Sequence, residues 1–399
     1  MCSTRTGVAD PAIVSPRRAR RVAHVLAWPT VAGTEISTLR IAQTLSGPDF
    51  QHVAFCSTAA AAVESFFHAA GFPTATYRSV DLSYRKPRAF LQASFNLAHK
   101  FSRQRIDLVH CSDLMAGLRA APAARLARLP VLCHIRNPHP DVGRHDRPLL
   151  WAANRFIFVS RHAWQTFSYP VSTDRGSLVY DGIERSPIDR EVARQRLRAQ
   201  FSIPPDTKLV GMVGRLAAQK DYPTLIRAAA RVLSVYPNVR FLVVGDHTTT
   251  DDFRQHYQVL TQLVAQLRIE PYVIFAGFRD DVPHVVSGLD ISVLATHFEG
   301  FGLVLVEAMA QGTPVIGTAV GGVTEIIADR ETGLLHGHAD DADLASKILT
   351  LLSNEVLAQR LASAGQRFVE ERFSMDRFAT GIAHVYRRML SMSHTSDGT

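Results

Sequence analysis

Two doubly wound α/β domains are what the sequence predicts, and three observations predict them. The chain has 399 residues, which at about 150 residues per domain leaves room for two or three cores. Short β-branched runs alternate with helical patterns, the sequence form of βαβ units and parallel sheets. The alternation breaks off in a charged, Pro-containing stretch from Asp181 to Lys208 and then restarts, so the pattern is laid down twice.

In the first half the candidate strands are Val22 to Ala27, His52 to Cys56, Leu108 to Cys111, Val131 to Ile135, Phe156 to Ser160 and Ser177 to Tyr180. After the break they are Leu209 to Val213, Phe241 to Val244, Val273 to Phe275, Ile291 to Leu294 and Pro314 to Thr318. The expected division is a disordered tail over 1–20, a first domain over 21–190, a second over 191–373, a final helix over 374–390 and a loose tail over 391–399. Arg17 to Arg21 followed by Val22 to Trp28 has the outline of a secretory leader, but the apolar part is short, holds His24 and runs into Pro29 and Glu35. It reads as the first strand.

Composition closes off other classes. Apolar residues make up 46% and charged residues 20%, too apolar for disorder and too charged for a polytopic membrane protein. Arg and His residues interrupt every candidate for the ~20-residue apolar run that a membrane helix needs. Cys2, Cys56, Cys111 and Cys133 form no C-x-x-C pair, which fits a reduced cytoplasm. The net charge of +8 is unevenly divided: residues 1–190 carry 24 Lys+Arg against 13 Asp+Glu, the remainder 20 against 23. The first half is therefore expected to face something anionic, such as a membrane surface or a phosphorylated lipid. An Arg-rich genome is the bland alternative, and nucleic acid is not expected, because no recognition motif accompanies the charge.

No G-x-G-x-x-G, P-loop, G-x-S-x-G or H-E-x-x-H signature is present, so the usual dinucleotide, hydrolase and zinc readings lack support. Asp341-Ala342-Asp343 has the D-x-D spacing of metal-bound sugar nucleotides, but it opens a helix, where acids favour the dipole. The densest motif runs from Phe298 to Pro314. A strand ends near Leu294, a Gly-containing turn follows, and a helix starts around Gly302, so free backbone N–H groups point out of the carboxyl edge of a sheet. That is an anion site. Glu307 is the one carboxylate on an otherwise apolar helix and needs donors, which ribose hydroxyls would supply. Glu299, eight residues earlier, is placed to accept from sugar hydroxyls. A buried ion pair or a solvated loop acid is the alternative for each.

Glu299-x7-Glu307 followed by Ala308-x-Ala310-x-Gly312-x-Pro314 resembles the retaining glycosyltransferases of family 4. The resemblance implies a GT-B fold, two Rossmann-like domains facing across a cleft with a C-terminal helix crossing back to the first, and here Ser374 to Leu390 is similar to that helix. Gly214-Arg215-Leu216 with Lys220 resembles the segment in which Arg and Lys hold the donor diphosphate, with Asp221 in place of a final Gly. Val244-Gly245-Asp246 is similar to the next turn, though His247 and three threonines replace a Gly-Pro. Gly277-Phe278-Arg279 resembles the stretch near the donor base, and Gly321-Gly322-Val323-Thr324-Glu325 resembles G-G-x-x-E. Phe301, Gly302, Leu303 and Val304 fall where the motif meets the donor. In the first half, Ala32-Gly33-Thr34-Glu35 stands where the family has G-G-x-E, so Gly33 keeps the position that touches diphosphate. His134 matches the family His that faces the donor sugar, although a lone His is ordinarily structural. Tyr180 to Glu184 resembles the interdomain N-G-[VI]-D with both polar positions changed.

What the resemblance implies is a hexosyltransferase that needs neither metal nor cofactor and works with retention. Arg215, Lys220, Glu299 and His134 would act at the donor, a UDP or GDP sugar, and the acceptor would be a glycan, a lipid-linked chain or a small molecule in envelope or exopolysaccharide synthesis. A sugar-nucleotide epimerase and an inactive donor-binding scaffold are the alternatives. The E-x7-E pair together with Arg215 and Lys220 disfavours an inactive scaffold, and the resemblance to family 4 disfavours the epimerase. Arg85, Lys86, Arg88, Lys100, Arg103 and Arg105 bracket Phe90, Leu91, Phe95, Leu97, Ala98 and Phe101. This helical pattern either packs on the first sheet or rests on anionic lipid at the inner face of the membrane.

Overall fold

The computed structural model describes residues 18–82, 87–184 and 188–392. The first sheet is built from β1 (Arg20–Leu26), β2 (Phe50–Ser57), β3 (Thr74–Tyr77), β4 (Leu108–Cys111), β5 (Val131–Ile135), β6 (Arg155–Phe158) and β7 (Gly176–Leu178) in the order β3-β2-β1-β4-β5-β6-β7. The second contains β8 (Lys208–Val213), β9 (Val239–Val244), β10 (Val273–Gly277), β11 (Ile291–Leu294), β12 (Val315–Thr318) and β13 (Leu334–His336) in the order β10-β9-β8-β11-β12-β13. Neighbouring strands pair in parallel throughout, as in β1 with β4 and β8 with β11. β4, β5, β6, β11 and β12 are buried along their whole length. Helices cover both faces of a parallel sheet, and these strands accordingly read as short, mostly apolar runs with one polar residue in each.

The expected two-domain α/β architecture is the one observed. Two short strands escaped the sequence reading. β3 (TATY) is an edge strand only partly buried at three of its four residues, and β13 (LLH) is a three-residue edge strand. The expected tails lie outside the described residues over 1–17 and 393–399, as do Arg85 and Lys86.

In each sheet the strand order reverses beside the first strand, at β1/β4 and at β8/β11, and a doubly wound sheet binds ligands outside the carboxyl ends at that reversal. The final helix, Met375–Met392, leaves the second domain and returns to the first. Its Phe378, Ile382, Val385, Tyr386 and Met389 share one buried cluster with Val22, Leu108, Leu132 and Ile157 of the first sheet. Two connecting strands of chain are zipped together at the crossing, where Ile183 donates to Phe373 O at 3.0 Å and accepts from Met375 N at 3.1 Å.

That face of the first sheet carries a polar row under the final helix. His24 Nε2 and His52 Nδ1 are 2.9 Å apart, His110 Nδ1 meets the Tyr386 hydroxyl at 2.7 Å, and His110 Nε2 meets His134 Nδ1 at 3.3 Å. Burial holds all four imidazoles below the ordinary histidine range, His52 near 4 and His110 near 3. The helix Pro87–Arg103 differs from the single broad apolar face that its pattern suggested. Phe90, Leu97, Ala98 and Phe101 are buried, whereas Leu91 and Phe95 are 53% and 60% exposed on the outward side.

Candidate functional site

The second domain presents its reversal point through three segments. Gly214, the residue after β8, donates to Val244 O at 2.9 Å and accepts from the Tyr222 hydroxyl at 2.8 Å. Asp221 has φ −79, a backbone open to any residue, and its carboxylate caps the helix Tyr222–Leu233 through Thr224 N at 3.2 Å. An N-cap is a sufficient reason for Asp where the resemblance has Gly. Lys220 lies between these anchors, and its Nζ is paired with the carboxylate of Glu299, both side chains largely withdrawn from solvent. Arg215 is exposed and makes a 3.4 Å contact with Gln219 Oε1.

Glu299 belongs to the loop that follows β11 and leads into the helix Leu303–Ala310. Gly302 sits at its N-cap with φ +104, where a side chain is strained, and no side chain caps this end. The dipole and first N–H groups of the helix are thus left for an anion at the carboxyl edge of the sheet. Glu307, one turn further, is held by Arg40 Nη2 at 2.9 Å. The ion pair weighed for this carboxylate is present, and its partner comes from the other domain, in the helix Gly33–Leu45. Arg40 Nη1 is buried without a hydrogen-bond partner.

The opposite wall is the carboxyl edge of the first sheet. Gly33 begins its helix beside open space, since a Cβ there would meet nothing within 4 Å. Ala32 is extended, with φ −145, so it fits where the family has Gly, and its N–H is taken by Glu35 Oε2 at 3.0 Å. Burial pushes the Glu35 carboxyl up to about 7, and its Oε1 has no partner.

His134 does not face the cleft. It is 0% exposed, in the row under the final helix, because its position on β5 points it to that face of the sheet. The residue at the cleft end of β5 is Arg136. Its Nη1 binds both oxygens of Asp181 at 2.9 and 2.7 Å, its Nε donates to Ser112 O at 3.0 Å, and Ser37 Oγ donates to Asp181 at 2.6 Å. The Arg136 carbonyl lies against Gly300 of the donor loop, where a Cβ would come within 1.8 Å of the oxygen. Here the two domains touch backbone to backbone.

The remaining expected residues are dispersed. Phe301 is buried in an aromatic cluster with Tyr180 and Phe373, at 5.8 and 5.2 Å between centroids, so only its backbone is near the donor loop. Gly277, with φ +70, ends the edge strand β10, and Phe278, 66% exposed, follows it. Arg279 is bound to Asp281 at 2.7 Å and to Gln200 at 2.7 Å, and it holds the Asp281 carboxyl below the usual range. Leu303 and Val304 are half-buried at the start of their helix. Glu325 clasps the first domain: its carboxylate accepts from Arg161 N at 3.0 Å, His162 N at 2.9 Å and the Tyr180 hydroxyl at 2.8 Å. Sequence reasoning missed Arg40, Arg136 and the clasp made by Glu325. Nothing local marks them, because their partners are remote in sequence. Among the described residues no group of three or more His, Cys, Asp or Glu side chains is gathered to hold a metal.

Two doubly wound domains that meet at their carboxyl edges, with a lysine and an open helix terminus at the reversal point, define the glycosyltransferase class of GT-B fold. Residues 193–368 match the family described as glycosyl transferases group 1, and residues 32–167 match the glycosyl transferase 4-like domain. The chain belongs to the group 1 glycosyltransferases of this family-4 type. It is similar to an uncharacterized glycosyltransferase of Methanocaldococcus jannaschii, 26% identical over 307 residues that cover 72% of this chain and 76% of the relative. It is also similar to the D-inositol 3-phosphate glycosyltransferase of Acidothermus cellulolyticus, 32% identical over 305 residues that cover 73% of this chain and 64% of that one. Across the curated relatives shown, the chain spans from 47% to 76% of their length. Its fold matches the Anabaena HepE protein in complex with UDP and glucose, with a TM-score of 0.81 at 21% identity over 92% of this chain and 99% of that one.

Proposed function

We propose that the protein transfers a hexose from a nucleoside diphosphate sugar, of the UDP or GDP type, to a hydroxyl acceptor, without metal and with retention at the anomeric carbon. The observation that carries this reading is the pairing of Lys220 with Glu299 beside the uncapped start of the helix Leu303–Ala310. When the bond between the anomeric carbon and the diphosphate breaks, its electron pair goes to the diphosphate, and Lys220, Arg215 and the helix terminus stabilise that growing charge. The acceptor oxygen forms the new bond to the anomeric carbon and gives up its proton to the departing diphosphate. Glu307 supplies the carboxylate for ribose hydroxyls, which compete with Arg40 for it. Retention rests on the family alone.

The Acidothermus cellulolyticus relative is a D-inositol 3-phosphate glycosyltransferase, and HepE was seen with UDP and glucose. The same kind of chemistry is proposed here in envelope or exopolysaccharide synthesis, at the cytoplasmic side of a membrane. Among the described residues no helix is long and apolar enough to cross one. The test is incubation with UDP and GDP sugars in excess chelator. Release of nucleoside diphosphate supports the reading. An epimerised donor, or binding without turnover, overturns it, and strict dependence on added divalent metal removes the metal-free mechanism.

A further inference from the structure

The first domain has a reversal point of its own, between β1 and β4, and the loops leaving those strands are tied together there. Trp28, two residues past β1, donates its indole Nε1–H to the Oδ2 of Asp113, two residues past β4. The other oxygen of Asp113 accepts from Ala116 N at 2.7 Å and caps the helix Leu114–Leu126, so the indole is fixed to a rigid element. Even so, Trp28 is 49% exposed. Arg119 closes the same corner: its Nη1 donates to Ala27 O at 3.2 Å and its Nε to the exposed carboxylate of Asp81 at 2.7 Å. Just past the neighbouring strand β5, Arg136 binds Ser112 O with its side chain and meets Gly300 of the donor loop with its carbonyl. Trp28 therefore lies on the wall that faces the donor site, beside the point where the two domains touch.

An indole held by a hydrogen bond and left half in solvent has one face to offer a flat, weakly polar partner. The Asp81–Arg119 pair next to it offers a carboxylate and a guanidinium in fixed geometry, the groups that take vicinal hydroxyls. An apolar lipid chain would instead need an unbroken apolar trough, and a phosphate would need a cation not already committed. Arg119 is committed to Asp81 and to Ala27. We propose that this corner is the acceptor subsite and that the acceptor presents a saccharide ring, stacked on Trp28 with its hydroxyls toward Asp81 and Arg119. The proposal rests on the transferase reading above and narrows its acceptor to a sugar.

The experiment compares the full-length chain with Trp28→Ala and Trp28→Phe. Each is given the turned-over nucleotide sugar with glucose, galactose, N-acetylglucosamine and their β-linked disaccharides, and separately with D-inositol 3-phosphate and undecaprenyl phosphate. Transfer to one or more of the saccharides is expected, with KM raised at least tenfold in Trp28→Ala and less in Trp28→Phe. The affinity for free nucleoside diphosphate and the rate of donor hydrolysis should stay at the level of the unaltered chain. Transfer only to the inositol or lipid phosphates, failure of every saccharide while donor is consumed, or a saccharide KM untouched by Trp28→Ala would overturn it. Should no variant consume any nucleotide sugar, the transferase reading itself fails. Quenching of tryptophan fluorescence by the disaccharides, lost in Trp28→Phe, then reports on the corner separately: quenching supports a saccharide site and its absence overturns one.

Discussion

Arg215 and Lys220 are both assigned to the diphosphate, yet their surroundings make their substitutions separable. Arg215 is exposed, so Arg215→Ala should lower kcat by roughly 10²–10³, the usual cost of losing one charge-stabilising donor, with an unchanged melting temperature. Lys220→Ala should cost at least as much activity. It also leaves the withdrawn carboxylate of Glu299 without its partner, for which about 3–5 kcal/mol is typical. Steady-state kinetics with a thermal melt separate the two: equal melting temperatures would contradict the buried pairing, and an effect confined to KM would contradict the transition-state role. Glu307→Ala should weaken nucleoside diphosphate binding by about 10-fold to 100-fold, the range for a hydrogen bond to a charged group. Calorimetric titration with UDP and GDP checks this, and unchanged affinity for both would remove the ribose contact.

At the scale of single elements, the outward ridge of the helix Pro87–Arg103 carries Leu91 and Phe95 between Arg88 and Arg103. Binding to anionic vesicles should be salt-sensitive, at roughly 1 kcal/mol per basic residue near the surface, and a Leu91→Ser, Phe95→Ser pair should abolish it. Vesicle flotation at low and high ionic strength decides the matter, and a chain unbound at low salt has no such surface. This helix also shows what the sequence could disclose. Its period placed it as a helix, but periodicity alone cannot tell which part of a wide apolar stripe the neighbouring helix Leu114–Leu126 leaves uncovered. The central strands were legible because burial on two faces writes itself as short runs of mostly Val, Ile, Leu, Phe and Cys, whereas β3 and β13 escaped because edge strands need neither length nor burial. The donor loop was readable as one dense motif. Arg40 was not, since its contact with Glu307 spans 267 residues. His134 was misplaced because a two-residue offset exchanges the residue just past the cleft end of β5, Arg136, for one inside the strand and buried beneath the final helix.

Across the whole molecule, acid should unfold this chain early. His24, His52, His110 and His134 are buried and uncharged, facing one another, Arg136 and Tyr386. Their folded values lie below the unfolded value near 6.5, so the unfolded chain binds more protons, and the stability they confer is present above about pH 6.5 and lost as pH falls. Each removes about 1.4 kcal/mol per pH unit in that window. Glu35, raised to about 7, and Asp113, likewise raised by burial, oppose them with the opposite slope. Urea midpoints should therefore drop steeply between pH 6.5 and pH 4.5, and a flat profile would show the row to be charged or hydrated. Gly300→Ala tests the domain contact: a methyl within 1.8 Å of the Arg136 carbonyl must drive the donor loop off the first domain. Transfer should fall by at least tenfold with nucleotide binding retained, and full activity would show that the walls need not touch. The crossing helix, finally, sets an order of events during synthesis. Val22, Leu108, Leu132 and Ile157 are translated early, but the side chains that cover them belong to residues 378–390. At about 5–20 residues per second the ribosome needs on the order of 10–40 s to supply that cover after β7 has emerged. The second domain can close in that interval while the first waits with an oily face bare, so a nascent chain stalled before Met375 is a natural client for chaperones.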